Sequence, residues 1–311
     1  MPLRYSIERC RVADKDKLRQ FRKIRSKWIR WLRGPIRRQL YTLMWDDAVY
    51  RMINEARRMA FQHPTNRVGF NGPTSNLLDR GFVTSQLMAI RRLVDRRRDV
   101  ISIPRLLKEI NEHRHLITRE MYVCYDGLPY DYSTVCQKFL DTQVFQNGVS
   151  KMQGIPASGP KAWLSSEQLH EHFDKLSGKQ SEERSKSDLI RRGVISGLAE
   201  RLNASSDLEK AANELFAHIP DHQRGSKWSR KRFRITLNKL RGAQRSVCQV
   251  VHLIDSSLLW ESSSSIIPTP QYDYLEDFDK AWATTGRLEK LHEFWEAHER
   301  DTEQWTNLKW P

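Results

Sequence analysis

Between His222 and Ile254 the chain carries no acidic residue, and within that span Gly225 to Arg234 places Lys227, Arg230, Lys231, Arg232 and Arg234 around two aromatic residues, Trp228 and Phe233. Ammonium and guanidinium groups at this density neutralise phosphates, and an interleaved ring offers a flat face on which an unpaired base stacks. Lys227, Trp228, Arg230, Lys231, Arg232 and Arg234 are therefore the candidate nucleic-acid contacts, in a combination suited to single-stranded or looped RNA. The structural alternative is a solvated loop whose two rings are anchored in the core.

Other chemistry finds less support. His113 with His115, His170 with His172, and His218 with His222 lie close in sequence, yet Pro220 breaks the helix that would align the last pair. No HExxH, GxSxG or GxxxxGK[ST] pattern occurs, so metalloprotease, serine hydrolase and nucleotide-triphosphatase readings lose their usual signatures. Cys10, Cys124, Cys136 and Cys248 never approach a CxxC spacing, which removes a disulfide framework and a cysteine-rich zinc site. No metal and no cofactor are expected.

The whole chain is basic, with a formal net charge of +15 over 311 residues and a pI near 9.8. Charge of that size attracts polyanions through counterion release whatever fold lies beneath it. Its distribution is uneven. Residues 1–120 hold 28 Lys and Arg against 12 Asp and Glu, whereas residues 271–311 hold 5 against 10. Arg37-Arg38, Arg57-Arg58, Arg91-Arg92 and Arg96-Arg97-Arg98 put charge on neighbouring helix faces, so some of it must be partly buried. Residues 51, 54, 55 and 58 share one helical face and suit an internal Arg/Asn/Glu network.

The elements that must position these groups are helices. Leu18, Phe21, Ile24, Trp28 and Leu32 recur at three- and four-residue steps in a basic amphipathic helix that Gly34-Pro35 is expected to stop. A second helix runs from Ile36 toward Phe61, and a third carries Leu77 to Leu93. Ser102 with Pro104 starts a short fourth helix. Met121 to Tyr125 is the best strand signal, closed by Asp126-Gly127. Residues 126–162 read as a long connection. Ser165 with Gln168 and Ser206 with Glu209 resemble capping boxes, on either side of a polar linker from Ser177 to Ser187. From Thr236, Leu237, Leu240, Val247, Val250, Val251, Ile254 and Leu258 trace the buried stripe of a long helix.

The stretch Ala211-Ala212-Asn213-Glu214-Leu215-Phe216-Ala217-His218, ending one helix ahead of a loop and a long helix, resembles the signature of the HEPN superfamily of helical bundles. Trp45 through Arg58, Arg97 through Leu107, and Asp126 through Tyr130 resemble bacterial proteins of its abortive-infection, phage-defence branch. The resemblance implies a bundle, often dimeric, in which an arginine and a histidine cleave RNA without metal. A ribose 2′-hydroxyl attacks the adjacent phosphate, histidine supplies acid/base function, and arginine stabilises the developing charge. His218 matches the family's histidine and Asn213 the polar residue within the motif. Ala212 or Asn213 stands where the family has arginine.

The expected fold is mainly α, a helical bundle of the HEPN type with additional N-terminal helices and a C-terminal helical tail. Residues 1–125 form a basic N-terminal region and 126–186 a loop-rich connection with one short helix. Residues 187–262 form the part of the bundle with the HEPN-like motif, and 263–311 an acidic, Trp-rich helical tail. The expected activity is RNA-directed. Either the chain is a metal-independent endoribonuclease with His218 and Asn213 at its centre, or it is a degenerate relative that binds RNA without cutting it. The competing reading is a non-enzymatic interaction protein forming a homodimer or protein complex. RNA is the expected partner, with DNA also admitted, no membrane is expected, and a cytoplasmic location fits the reduced cysteines.

Overall fold

The computed structural model describes residues 5–62, 71–142, 145–146, 149–150, 154–213, 235–261, 273, 275–276, 280 and 285–305. The fold is mainly α. The helices are α1 (Lys15–Trp31), α2 (Arg37–Gln62), α3 (Gly72–Val94), α4 (Ile103–Glu112), α5 (Arg119–Cys124), α6 (Tyr132–Asp141), α7 (Trp163–Ser177), α8 (Arg192–Arg201), α9 (Ser206–Ala212), α10 (Leu237–Leu253) and α11 (Thr285–Gln304). Among the described residues the only sheet is a hairpin pairing Phe145–Gln146 with Val149–Ser150. The chain divides into two units, Met1–Pro268 and Thr269–Pro311. No helix among the described residues is long and apolar enough to cross a membrane.

Helix α10 is the axis of the first unit. Leu240, Ala243, Val247, Val250, Val251 and Ile254 are all buried, at the three- and four-residue steps that put side chains on one face. This face packs against α2, α3, α8 and α9. One continuous core runs from Cys10 to Leu259, so residues 1–125 and 187–262 share a single interior.

Several local expectations need correction. Gly34-Pro35 does not stop the first helix, because a π-helical turn, Leu32–Ile36, carries the chain from α1 into α2. A π turn moves the hydrogen-bond register by one, so proline's missing N–H costs little there. Met121 to Tyr125 is not a strand. Met121 to Cys124 belong to α5 and Tyr125 is its C-cap; Thr118 caps the N-terminus and every residue from Arg119 to Cys124 is buried, so no exposed face remains to reveal a helical period. Residues 126–186 contain two helices rather than one, since Asp131 caps α6 through the Thr134 N–H (3.1 Å). Neither capping box forms. Helix α7 starts earlier, at Trp163, and α9 follows directly on a 3-10 turn from α8.

The stretch from Ser177 to Ser187 is fastened to the core instead of serving as a linker. Arg119, wholly buried, donates to Asp188 (2.9 Å), Asp174 (2.7 Å), Ser177 Oγ (3.1 Å) and the His170 carbonyl (3.2 Å). Arg184 also grips Asp174 (2.6 Å) and reaches Tyr132 (3.0 Å). Burial alone would raise the Asp174 pKa, but the hydrogen bonds from Arg184 and Arg119 outweigh it and hold this carboxyl below its usual range. Gly178 ends α7 in the left-handed conformation (φ 72°), with the Arg191 side chain where a Cβ would stand.

A second buried charge cluster closes the unit. A π turn, Ile254–Leu258, follows α10, and Trp260 then adopts φ 47°, which turns the chain back. Glu261 thereby meets both Arg25 (2.9 Å) and Arg33, while Asp255 meets Arg37 (2.8 Å). Arg25 also donates to the Leu259 carbonyl and stacks on Tyr125 at 4.1 Å. Removing one partner of a buried pair leaves the other charge uncompensated, at a cost on the order of 3 kcal/mol.

In the second unit, α11 has an exposed apolar set, Leu288, Leu291, Phe294 and Trp295. Arg300 and Glu296 pair along it at 3.7 Å.

Glu261→Ala is predicted to lower the stability of the chain by about 3 kcal/mol in urea denaturation at neutral pH. A loss below about 1 kcal/mol would show that Arg25 and Arg33 are satisfied without it.

Candidate nucleic-acid interface

Helix α10 presents two faces of opposite character. Across from its buried stripe, Lys239, Arg241, Arg245, Gln249 and His252 are exposed, and the acid-free span that supplies them reaches back through the basic stretch 227–234. Thr236 caps the helix by accepting from the Lys239 N–H (3.2 Å). Lys239, Arg241 and Arg245 have no hydrogen-bond or ion-pair partner among the described residues. A helix face with cations and no carboxylate keeps its full attraction for phosphates.

That face continues onto the next elements. Arg201, the last residue of α8, reaches Gln249 of α10 at 3.4 Å. Two residues on, Asn203 accepts from Arg96 at 3.0 Å. Arg96, Arg97 and Arg98 are exposed on the turn between α3 and α4. This turn is fixed by Asp95, which accepts from the Arg97 N–H (2.8 Å), and by Ser102, which caps α4 and donates to the Asp95 carbonyl.

A groove of about 920 Å³ runs below, between α4 and α8, with Arg96, Arg97, Arg98, Arg105, Lys108 and Arg192 along it. Four glutamates also line the groove, Glu109, Glu112, Glu200 and Glu209. Glu109 is taken by Lys27 (2.8 Å) and Glu112 by Lys108 (3.7 Å). Arg98 and Arg192 have no partner among the described residues. Lys239, Arg241, Arg245, Arg201, Arg96 and Arg98 thus form a basic track along one side of the first unit.

Of the candidate catalytic residues and nucleic-acid contacts read from sequence, Asn213 is the one the structure describes. It ends α9, half-buried, with its backbone N–H bonded to the Glu209 and Lys210 carbonyls. His218, Lys227, Trp228, Arg230, Lys231, Arg232 and Arg234 lie outside the described residues. Ala212, where the resemblance calls for arginine, is 0% exposed and belongs to the core. The network expected on α2 forms in part, between Arg58 and Glu55, while Asn54 and Arg51 find other partners. Arg58 bonds Glu55 (2.9 Å) and Arg57 bonds Asn54 (3.0 Å) and Asp79 (2.9 Å), while Arg51 turns back to Asp47 (2.7 Å).

The track itself was missed in the sequence. Its signal is the recurrence of Arg241, Arg245, Gln249 and His252 at three- and four-residue steps, out of phase with the apolar stripe.

The described histidine pairs hold no metal cluster: among the described residues no group of three His, Cys, Asp or Glu side chains stands close enough. His172 packs edge-on to Trp260 at 4.3 Å, and His113 bonds the Glu109 carbonyl at 2.9 Å. His170 is buried with Nε2 2.9 Å from the Tyr130 carbonyl, which requires the N–H on that nitrogen, and its Nδ1 has no partner among the described residues. Burial pushes its pKa down to about 4, against the pull of that hydrogen bond.

The unfolded chain binds this proton near pH 6.5 and the folded one only near 4. Its contribution is therefore complete above pH 6.5 and is lost as pH falls toward 4, by about 3 kcal/mol in all. His170→Gln, which keeps an N–H for Tyr130, is predicted to lose less stability than wild type between pH 7 and 4.5 in urea denaturation. Equal losses in the two proteins would contradict the assignment.

No protein-family model matches this chain, and no curated protein and no solved structure matches it.

Proposed function

We propose that this protein binds RNA along the basic track from α10 to the Arg96–Arg98 turn, as a phage-defence relative of the HEPN bundles that has kept an RNA-facing surface without the family's catalytic arginine. The observation that carries the reading is the exposed face of α10. Lys239, Arg241 and Arg245 stand there with no partner among the described residues, in an acid-free span of sequence that also contains Trp228 and Phe233, whose rings suit base stacking. A merely solvated helix face carries both signs of charge, as α2 does with Arg58 and Glu55.

Two features favour binding over cleavage. Ala212 is packed in the core, so an arginine side chain at that position would have no path to a bound phosphate. The alternative position, Asn213, carries a neutral amide that cannot neutralise the charge a phosphorane develops. RNA is favoured over duplex DNA because the aromatic residues of the basic stretch need unpaired bases to stack on.

The test is binding of a single-stranded RNA oligonucleotide over a range of salt, in chelator, by wild type, the Arg241→Ala/Arg245→Ala double variant and His218→Ala. Each phosphate contact adds roughly 0.7 to the slope of log affinity against log salt for a single strand. The double variant is predicted to reduce the slope by about 1.4, with the RNA left intact in every sample. An unchanged slope would remove α10 from the interface. Cleavage by wild type that His218→Ala abolishes would replace the binding reading with a ribonuclease.

A further inference from the structure

Beside the track, α2 and α10 enclose a cleft of about 590 Å³. Met44, Ala48 and Cys248 form its apolar wall, with the two sulfur atoms 3.6 Å apart. Arg241 and Arg245 stand at its rim, exposed and without a partner among the described residues. The remaining polar groups are Gln244, whose Nε2 donates to Gln86 Oε1 at 2.7 Å, and Asp47 and Arg51, joined through Oδ2 and Nε at 2.7 Å. That bond uses one atom of each. Asp47 Oδ1 and Arg51 Nη2 are both buried and have no hydrogen-bond partner among the described residues, within side chains that are 10% and 38% exposed respectively.

A buried carboxylate oxygen and a buried guanidinium nitrogen left open each cost free energy unless something satisfies them. The complement must present a donor for Asp47 Oδ1 next to an acceptor for Arg51 Nη2. Sulfate brings acceptors alone, and hydrogen phosphate, which does carry an O–H donor, has no flat apolar face for the Met44, Ala48 and Cys248 wall. The Watson–Crick edge of a nucleobase carries the donor and acceptor side by side, its flat apolar faces suit a wall of Met44, Ala48 and Cys248, and its phosphate would reach Arg241 and Arg245. The volume lies within the usual range for small-molecule pockets.

We infer that the α2–α10 cleft is a nucleotide pocket, in which Asp47 and Arg51 read the edge of one base and Arg241 and Arg245 hold its phosphate. The inference deepens the RNA reading by naming where a splayed-out nucleotide would lodge, and a free nucleotide has the same chemistry.

Calorimetric titration of the full chain with each nucleoside 5′-monophosphate, and separately with inorganic phosphate, tests the pocket without using RNA. At least one nucleotide is expected to bind more tightly than phosphate. Asp47→Asn is expected to weaken that nucleotide by about tenfold, the loss of one hydrogen bond to a charged group, while leaving phosphate binding unchanged. A thermal melt checks that Asp47→Asn is folded, and Arg241→Ala/Arg245→Ala, on the exposed rim, is expected to weaken nucleotide and phosphate alike. Displacement of the nucleotide by a single-stranded RNA would identify RNA as its source, and binding that RNA does not disturb would identify a free nucleotide; both support the pocket. If no nucleotide binds better than phosphate the pocket is overturned, whatever the salt dependence of RNA binding shows.

Discussion

The pairing of Arg25, Arg33 and Arg37 with Glu261 and Asp255 joins the first two helices of the chain to the end of α10. Arg25 and Glu261 are separated by 236 positions, so closing this contact fixes α1, α2 and α10 against one another in a single step. Three arginines are drawn inside by two carboxylates, and the hydrogen bonds to Leu259 and Tyr125 compensate part of the desolvation that so much buried charge entails. Once α10 is seated on its apolar stripe, its other face can only point to solvent, and the cleft against α2 follows from the same docking.

The chain resolves its excess of positive charge in two ways. Where carboxylates are near, as around Arg119 with Asp174 and Asp188, the cations become structural and largely lose their field at the surface. Where no carboxylate among the described residues pairs with them, as on α10 and at Arg98 and Arg192, the charge remains available. Function is therefore located less by the number of arginines than by which of them lack an acidic neighbour. On that criterion Arg57 and Arg58 belong to the scaffold, whereas Arg241 and Arg245 belong to the surface proposed to meet RNA.

The sequence made the helical class legible because most helices keep one polar face, and the stripe from Leu240 to Leu258 and the Ser102 cap can be read directly. The period disappeared where burial is complete on all sides, which is why α5 resembled a strand. It was also broken by π turns, which let the chain pass Gly34-Pro35. Contacts between residues more than fifty positions apart leave no local trace, so the polar residues from Ser177 to Ser187 looked like a linker although Ser177 bonds Arg119, Arg184 bonds Asp174, and Asp174 and Asp188 both pair with Arg119. Of the candidate site, the basic stretch was legible from composition alone. The α10 face needed two interleaved periods to be separated, and Asp47 could be recognised only once α2 and α10 were seen together.

RNA is proposed to lie along the track from α10 to the Arg96–Arg98 turn. The most direct test is photocrosslinking of a 4-thiouridine-substituted single-stranded RNA to the full chain at moderate salt, followed by peptide mapping. Crosslinks concentrated in residues 235–252 and 96–105 are the predicted result. Crosslinks confined to α6, α7 or α11, with none in those two segments, would contradict it.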